Sequence, residues 1–209
     1  MSSDASICPG LVIGVVGHRP DALRDPDDKR LLHQVRSVLA IACDSGRAVS
    51  LISPVAEGAD RLVAREALAS GLPLICLLPF SRDDYARDFE TEKSRADYED
   101  LLQRSAAVIE LPGTHGSAEE RDAAYAALSD ELIDRIDLLI AIWDGEEARG
   151  LGGTGHTVQS ALERCIPVVW IHAHTPHEAA LLCSDETGAA KRTDVSQIRV
   201  WLQKRQSIS

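Results

Sequence analysis

The 209-residue sequence is short of positive charge: 22 Lys and Arg stand against 33 Asp and Glu, a formal net charge of −11. An acidic surface repels phosphate backbones and anionic lipid headgroups, and no local gathering of basic residues offsets it. General nucleic-acid binding and membrane binding are therefore not expected. Long apolar runs are lacking too. Leu11–Val16 and Leu72–Phe80 are the longest, far short of the ~20 residues that cross a bilayer. Met1–Pro9 has neither the basic start nor the apolar core of a secretory signal, so a cytoplasmic location is expected. Cys8, Cys43, Cys76, Cys165 and Cys183 lie far apart with no C-x-x-C pair, which reads as reduced, buried thiols rather than a metal or redox site. Three catalytic signatures are also missing. No Gly-Lys-Ser/Thr completes a Walker loop, Gly14-Val-Val-Gly17-His18-Arg19 does not complete the G-x-G-x-x-G dinucleotide fingerprint, and there is no G-x-S-x-G nucleophile elbow.

What is present is the composition of a folded protein, 44% hydrophobic and 26% charged, at a length that suits one domain over residues 1–209. Short β-rich apolar runs alternate with turns and with segments whose apolar residues recur every three or four positions. That alternation predicts an α/β fold, a Rossmann-like doubly wound, mostly parallel sheet with helices on both faces. Its expected strands are Leu11–Val16, Ala48–Ser53, Leu74–Leu78, Ala107–Leu111, Leu138–Trp143 and Ile166–Ile171, about six in a core spanning 11–172. Residues 81–100 form a charged insertion anchored by Tyr85, Phe89 and Tyr98, either a solvated helical segment or a mobile cover. An extension over 175–209 has enough apolar residues for a docked helix or strand. In such a sheet, ligands sit outside the carboxyl ends of the strands.

The loops at those ends carry the candidate chemistry. Trp143-Asp144-Gly145 ends the fifth run, and Gly150-Leu-Gly152-Gly153-Thr154-Gly155-His156-Thr157 leads directly into Val158, Ala161 and Leu162 at helical spacing. Glycines let a ligand approach the backbone, and the unpaired N–H groups of a helix start favour a phosphate or carboxylate. Gly152, Gly153, Thr154, Gly155 and Thr157 are thus candidate phosphate ligands. Gly17, His18 and Arg19 follow the first strand, where the guanidinium offers a bidentate clamp and the imidazole a polar contact or an acid–base group. Glu57, Gly58 and Asp60 lie at the second strand-to-helix junction; Glu57, Asp60 and Asp144 could accept hydrogen bonds from a sugar or base, and Asp60 also fits a helix cap. Tyr85 or Phe89 could cover the ligand, though Phe89 also suits the core. His172, His174 and His177 cluster without the spacing of a known metal set. No cofactor is predicted, and nothing supports a divalent metal accompanying a phosphate.

Taken in order, Val16-Gly17-His18-Arg19, Ala56-Glu57-Gly58-Ala59-Asp60-Arg61, Leu78-Pro79-Phe80 with Tyr85 and Asp88-Phe89, Ile140-Ala-Ile-Trp143-Asp144-Gly145 and Gly152-Gly153-Thr154 resemble the SLOG superfamily. These are Rossmann-like domains related to the Lonely Guy phosphoribohydrolases and to the DNA-processing protein A fold. The resemblance implies that the glycine loop binds the phosphate of a nucleotide or nucleotide-like ligand, and that the chain is a possible homo-oligomer. Lonely Guy proteins carry P-G-G-x-G-T-x-x-E, whose Glu helps cleave an N-glycosidic bond. Here Leu151 replaces Pro, His156 replaces Thr and Gln159 replaces that Glu. An amide neither takes a proton at neutral pH nor carries the stabilising charge. The expected function is binding or sensing of a nucleotide-like small molecule. The alternatives are a nucleotide N-glycosidase that uses Glu57 or Asp144 as its carboxylate, and a protein-interaction module.

Overall fold

The computed structural model describes residues 10–23, 28–146, 152–185 and 188–206, the side chains of 205 and 206 excepted. Cys8, Gly150 and Leu151, on which expectations from the sequence fell, lie outside them.

One sheet runs through the described residues: β1 (Leu11–Gly17), β2 (Val49–Ser53), β3 (Leu74–Leu78), β4 (Ala107–Glu110), β5 (Leu138–Trp143), β6 (Val168–His172), β7 (Ala179–Ser184) and β8 (Ala190–Asp194), in the spatial order β4-β3-β2-β1-β5-β6-β7-β8. The first six strands are parallel; β7 and β8 are added antiparallel at one edge. The sheet therefore has eight strands rather than about six, and the additional pair falls in the extension. β7 reads Ala-Ala-Leu-Leu-Cys-Ser and β8 Ala-Lys-Arg-Thr-Asp. β7 is a short apolar run whose Leu181 and Leu182 are buried on opposite faces of the sheet, whereas β8 is an exposed edge strand, which tolerates polar and charged side chains.

Helices cover both faces. On one, α2 (Lys29–Cys43), α3 (Ala59–Ala69), α5 (Glu92–Arg104) and α8 (Gln197–Gln206) bury Val35, Val63, Leu101 and Ile198. On the other, α6 (Ala118–Arg135) and α7 (Thr154–Glu163) bury Leu132 and Val158. Their starts follow local chemistry. The Asp28 side chain accepts from the Arg30 N–H at the head of α2, and Ser117 and Glu120 form a reciprocal capping box on α6.

The charged insertion is neither loose nor fully solvated. A four-residue helix α4 (Arg82–Tyr85), a 3-10 turn (Ala86–Asp88) and α5 fold back so that Tyr85, Phe89 and Tyr98 are fully buried, with ring centroids 4.9–5.8 Å apart. Polar residues fill its outer face, while three aromatics at wide spacing suffice to bury the inner one. Arg61 fastens it from α3: Nε donates to the Val55 carbonyl at 3.0 Å, Nη1 to the Ser94 carbonyl at 2.9 Å, and the guanidinium lies 4.2 Å over the Phe89 ring.

The cysteines differ from expectation. Cys76 is buried, which pushes its thiol up to about 11, but Cys43 and Cys165 are exposed; the four described thiols are free. No helix among the described residues is long and apolar enough to cross a membrane.

Candidate functional site

Strand order reverses between β1 and β5: connections run to β2, β3 and β4 on one side of β1 and to β6 on the other side of β5. The loops leaving these two strands diverge there and leave a crevice at their carboxyl ends. A cleft of about 680 Å³ occupies it. Gly17, His18 and Arg19 come from the end of β1, Trp143 and Asp144 from β5, and Gly152, Gly153, Thr154, Gly155 and Thr157 from the head of α7; Asp60 of α3, Tyr85 of the insertion and Tyr125 of α6 complete its floor. Ten of the residues nominated from the sequence thus meet in one place.

The head of α7 is bare. Gly153 is its N-cap and no side chain caps the helix, in contrast to Asp28, Ser81, Thr91 and Ser117 on α2, α4, α5 and α6. The amides of Thr154, Gly155 and His156, the first turn, carry the positive end of the helix dipole into the cleft. Gly152 has φ of +78°, and a Cβ there would lie 2.8 Å from the Tyr125 backbone. Only glycine lets the chain turn so tightly against α6. Thr157 is not a free donor. Its hydroxyl donates to the Gly153 carbonyl at 3.2 Å and lies 2.9 Å from the Ser129 hydroxyl, so it fixes the helix start.

Arg19 forms no ion pair with a described residue. Burial alone would lower its pKa, but the surrounding Tyr85, Tyr125, Asp60 and Asp88 raise it. It is a cation held in a partly desolvated wall. Asp60 is 4% exposed, and its Oδ1 has no hydrogen-bond partner among the described residues. Burial pushes its carboxyl up to about 7, against the opposing pull of Arg19 and the Ala56 and Gly17 amides. The Tyr85 hydroxyl is likewise buried without a described partner, and burial raises its pKa well above the usual phenol. Tyr85 is therefore a floor residue rather than a cover, and Phe89 belongs to the core. The Tyr125 hydroxyl donates a short hydrogen bond to Asp88, whose other oxygen is 2.8 Å from His115 Nε2. Asp88 belonged to the Asp88-Phe89 pair read from the sequence, but Tyr125 and His115 had no motif to announce them; only the passage of α6 beneath the cleft brings Tyr125 there.

At the strand ends His18 Nε2 lies 3.1 Å from Asp144 Oδ2 and 3.2 Å from the Asp144 N–H. When protonated it donates to the carboxylate; when neutral with the proton on Nδ1 it accepts from the amide. Asp144 Oδ1 accepts from the Glu146 N–H at 3.0 Å. Burial would raise the Asp144 pKa, but that amide and His18 bring it below the usual carboxylate value. Asp144 is thus an acceptor, not an acid.

Glu57 and Gly58 do not line this cleft. They border a second hollow of about 390 Å³ with Arg61, Arg65 and Lys93. Gly58 has φ of +104°, and a Cβ there would collide with the His18 carbonyl; the glycine allows the loops after β1 and β2 to touch, and in doing so turns Glu57 away. Gln159 is exposed, its amide donating to Glu163 at 2.8 Å. The three histidines secure a loop: His174 Nε2 contacts the Ala22 carbonyl at 3.0 Å, and His177 contacts the His172 carbonyl and Asp28. Among the described residues no group of three or more His, Cys, Asp or Glu is placed to hold a metal.

No family model and no curated protein matches the sequence. Solved structures do match the fold. DNA processing protein A from Helicobacter pylori, described for its unique single-stranded DNA binding mode, superposes with a TM-score of 0.52 at 14% identity, covering 93% of this chain and 73% of that one. DNA processing protein A from Streptococcus pneumoniae gives 0.51 at 17% identity, covering 79% of this chain and 52% of the other. These likenesses correct one expectation. The exclusion of nucleic acid drawn from net charge does not stand, since a protein of this fold is described for binding single-stranded DNA; a sum over the whole surface does not fix the potential at one place on it. The fold is the Rossmann-like α/β fold that DNA processing protein A displays.

Proposed function

We propose that the protein binds a nucleotide or nucleotide-derived ligand in the switch-point cleft, with a phosphate on the head of α7 opposite the Arg19 guanidinium. The observation that carries this reading is the coincidence, in one cleft, of a helix start with no side-chain cap and a partly buried arginine that forms no ion pair with a described residue. Two sources of positive potential meet in this cleft; Asp60 and Asp88 act on Arg19 from nearby, but no described carboxylate forms an ion pair with it, which leaves its guanidinium open to a phosphate. Asp144, held ionised, is an acceptor for sugar hydroxyls or a base edge. Asp60 and Tyr85 supply an unfilled acceptor and an unfilled hydroxyl on the floor. Binding is favoured over N-glycosidic hydrolysis because Glu57 is outside the cleft and Gln159, exposed and bonded to Glu163, stands where the hydrolases carry their carboxylate; an ionised Asp144 is the carboxylate left to the hydrolytic alternative.

The test is a thermal-shift panel of nucleoside mono- and diphosphates, cyclic nucleotides, ADP-ribose, NAD and a short single-stranded oligonucleotide, each sample then assayed for free base. Wild type is compared with Gly153→Asp. Gly153 has φ of −75° and ψ of 165°, a backbone any residue adopts, and an aspartate there caps α7 with its own carboxylate. The variant should melt at or slightly above wild type, by a few tenths of a kcal/mol, yet lose the ligand-induced shift. A shift retained in Gly153→Asp, or none with any compound in wild type, contradicts the reading. A shift with the oligonucleotide alone makes the ligand a strand rather than a free nucleotide.

A further inference from the structure

Trp143 lines the cleft from the end of β5 and is only partly buried. Its ring is firmly backed. Trp170 packs against it with centroids 5.9 Å apart, and the Trp170 indole N–H donates to the Trp143 carbonyl at 2.9 Å. His172, in register with Trp143 across the ladder, packs against Trp170 in a tilted arrangement with centroids 5.8 Å apart, and the Arg192 guanidinium lies 4.8 Å from the Trp170 ring centroid. The Trp143 indole N–H, by contrast, has no hydrogen-bond partner among the described residues. Core packing accounts for the backed side of this ring. It does not account for the part of the ring that lines a polar cleft with its N–H unbonded to a described residue.

We propose that Trp143 is the platform on which the nucleobase of the bound ligand stacks, so that the ligand is a nucleoside phosphate recognised through its base, purines ahead of pyrimidines because stacking grows with overlapping ring area. This rests on the reading of the cleft as a phosphate-ligand site. The order along the chain suits it: Trp143 meets the base, Asp144 directly after it carries the acceptor for sugar hydroxyls, and the head of α7 receives the phosphate. A base stacked on an aromatic side chain contributes about tenfold to a hundredfold in affinity.

The test compares adenosine 5′-monophosphate, cytidine 5′-monophosphate and ribose 5-phosphate by isothermal titration and by tryptophan fluorescence, on wild type, Trp143→Phe and Trp143→Ala. Adenosine 5′-monophosphate should quench the emission and bind about tenfold to a hundredfold more tightly than ribose 5-phosphate, with the cytidine compound between. Trp143→Phe should keep most of that preference, and Trp143→Ala should bring all three to the ribose 5-phosphate level. Equal binding of the three compounds by wild type, a comparison that needs no variant to fold, overturns the stacking role and leaves the phosphate site intact. Failure of all three to bind overturns both.

Discussion

Asp60 couples the cleft to pH. Its carboxyl is pushed from 3.8 up to about 7 by burial, so the folded protein holds this proton more tightly than the unfolded chain does. Folding is then linked to proton uptake between pH ~4 and ~7, and the contribution of Asp60 makes the protein less stable as pH rises through that window and level above it. Asp60→Asn removes the titration. The variant should gain on wild type as pH rises, by at least about 1 kcal/mol between pH 5 and pH 8, as read from paired melting curves. A difference independent of pH would place the Asp60 pKa near its ordinary value. His18 and Asp144 show the opposite arrangement, a carboxylate satisfied on both oxygens. Two acids in one cleft thus differ because the donors around the partly exposed Asp144 outweigh its burial, whereas burial of Asp60 outweighs its donors and Arg19.

At the scale of elements, the insertion over 81–100 depends on one side chain of α3. Arg61, 3% exposed, donates to two carbonyls and stacks on Phe89. Arg61→Leu leaves those carbonyls without donors and should cost about 3 kcal/mol, a drop in Tm on the order of 6–12 °C at this chain length. Arg65→Leu, one turn along the helix, breaks only the partly exposed pair with Asp97 and should cost under about 1 kcal/mol. Equal losses would show that Arg61 acts only as a surface charge. The central parallel strands were legible because, buried on both faces, they must be apolar throughout; β8 was not, because an exposed edge carries no such demand, and β7 was missed because its short apolar run lies in an extension with little other pattern. The same contrast holds in the site. Arg19, Asp144 and the glycine loop were legible because they terminate strands or open a helix. Glu57 misled because the positive φ of Gly58 decides which way that turn faces, and Tyr125 was invisible because it lies within an 18-residue helix whose crossing beneath the cleft no local pattern records.

Across the whole molecule, the sheet's reversal between β1 and β5 sets where a ligand can enter, and the two loops it separates supply the two positive features that meet there. The proposed anion site sits in a protein of net charge −11, where helix geometry and one arginine must outweigh composition locally. At 22.6 kDa the chain suits amide-resolved NMR. Titrating the ¹⁵N-labelled protein with adenosine 5′-monophosphate tests the phosphate site directly. The amides of Thr154, Gly155 and His156 should show the largest shifts, saturating together and absent in Gly153→Asp. Perturbations that leave these three amides unmoved, or that centre instead on the hollow beside Glu57 and Lys93, would contradict a phosphate seat at the head of α7.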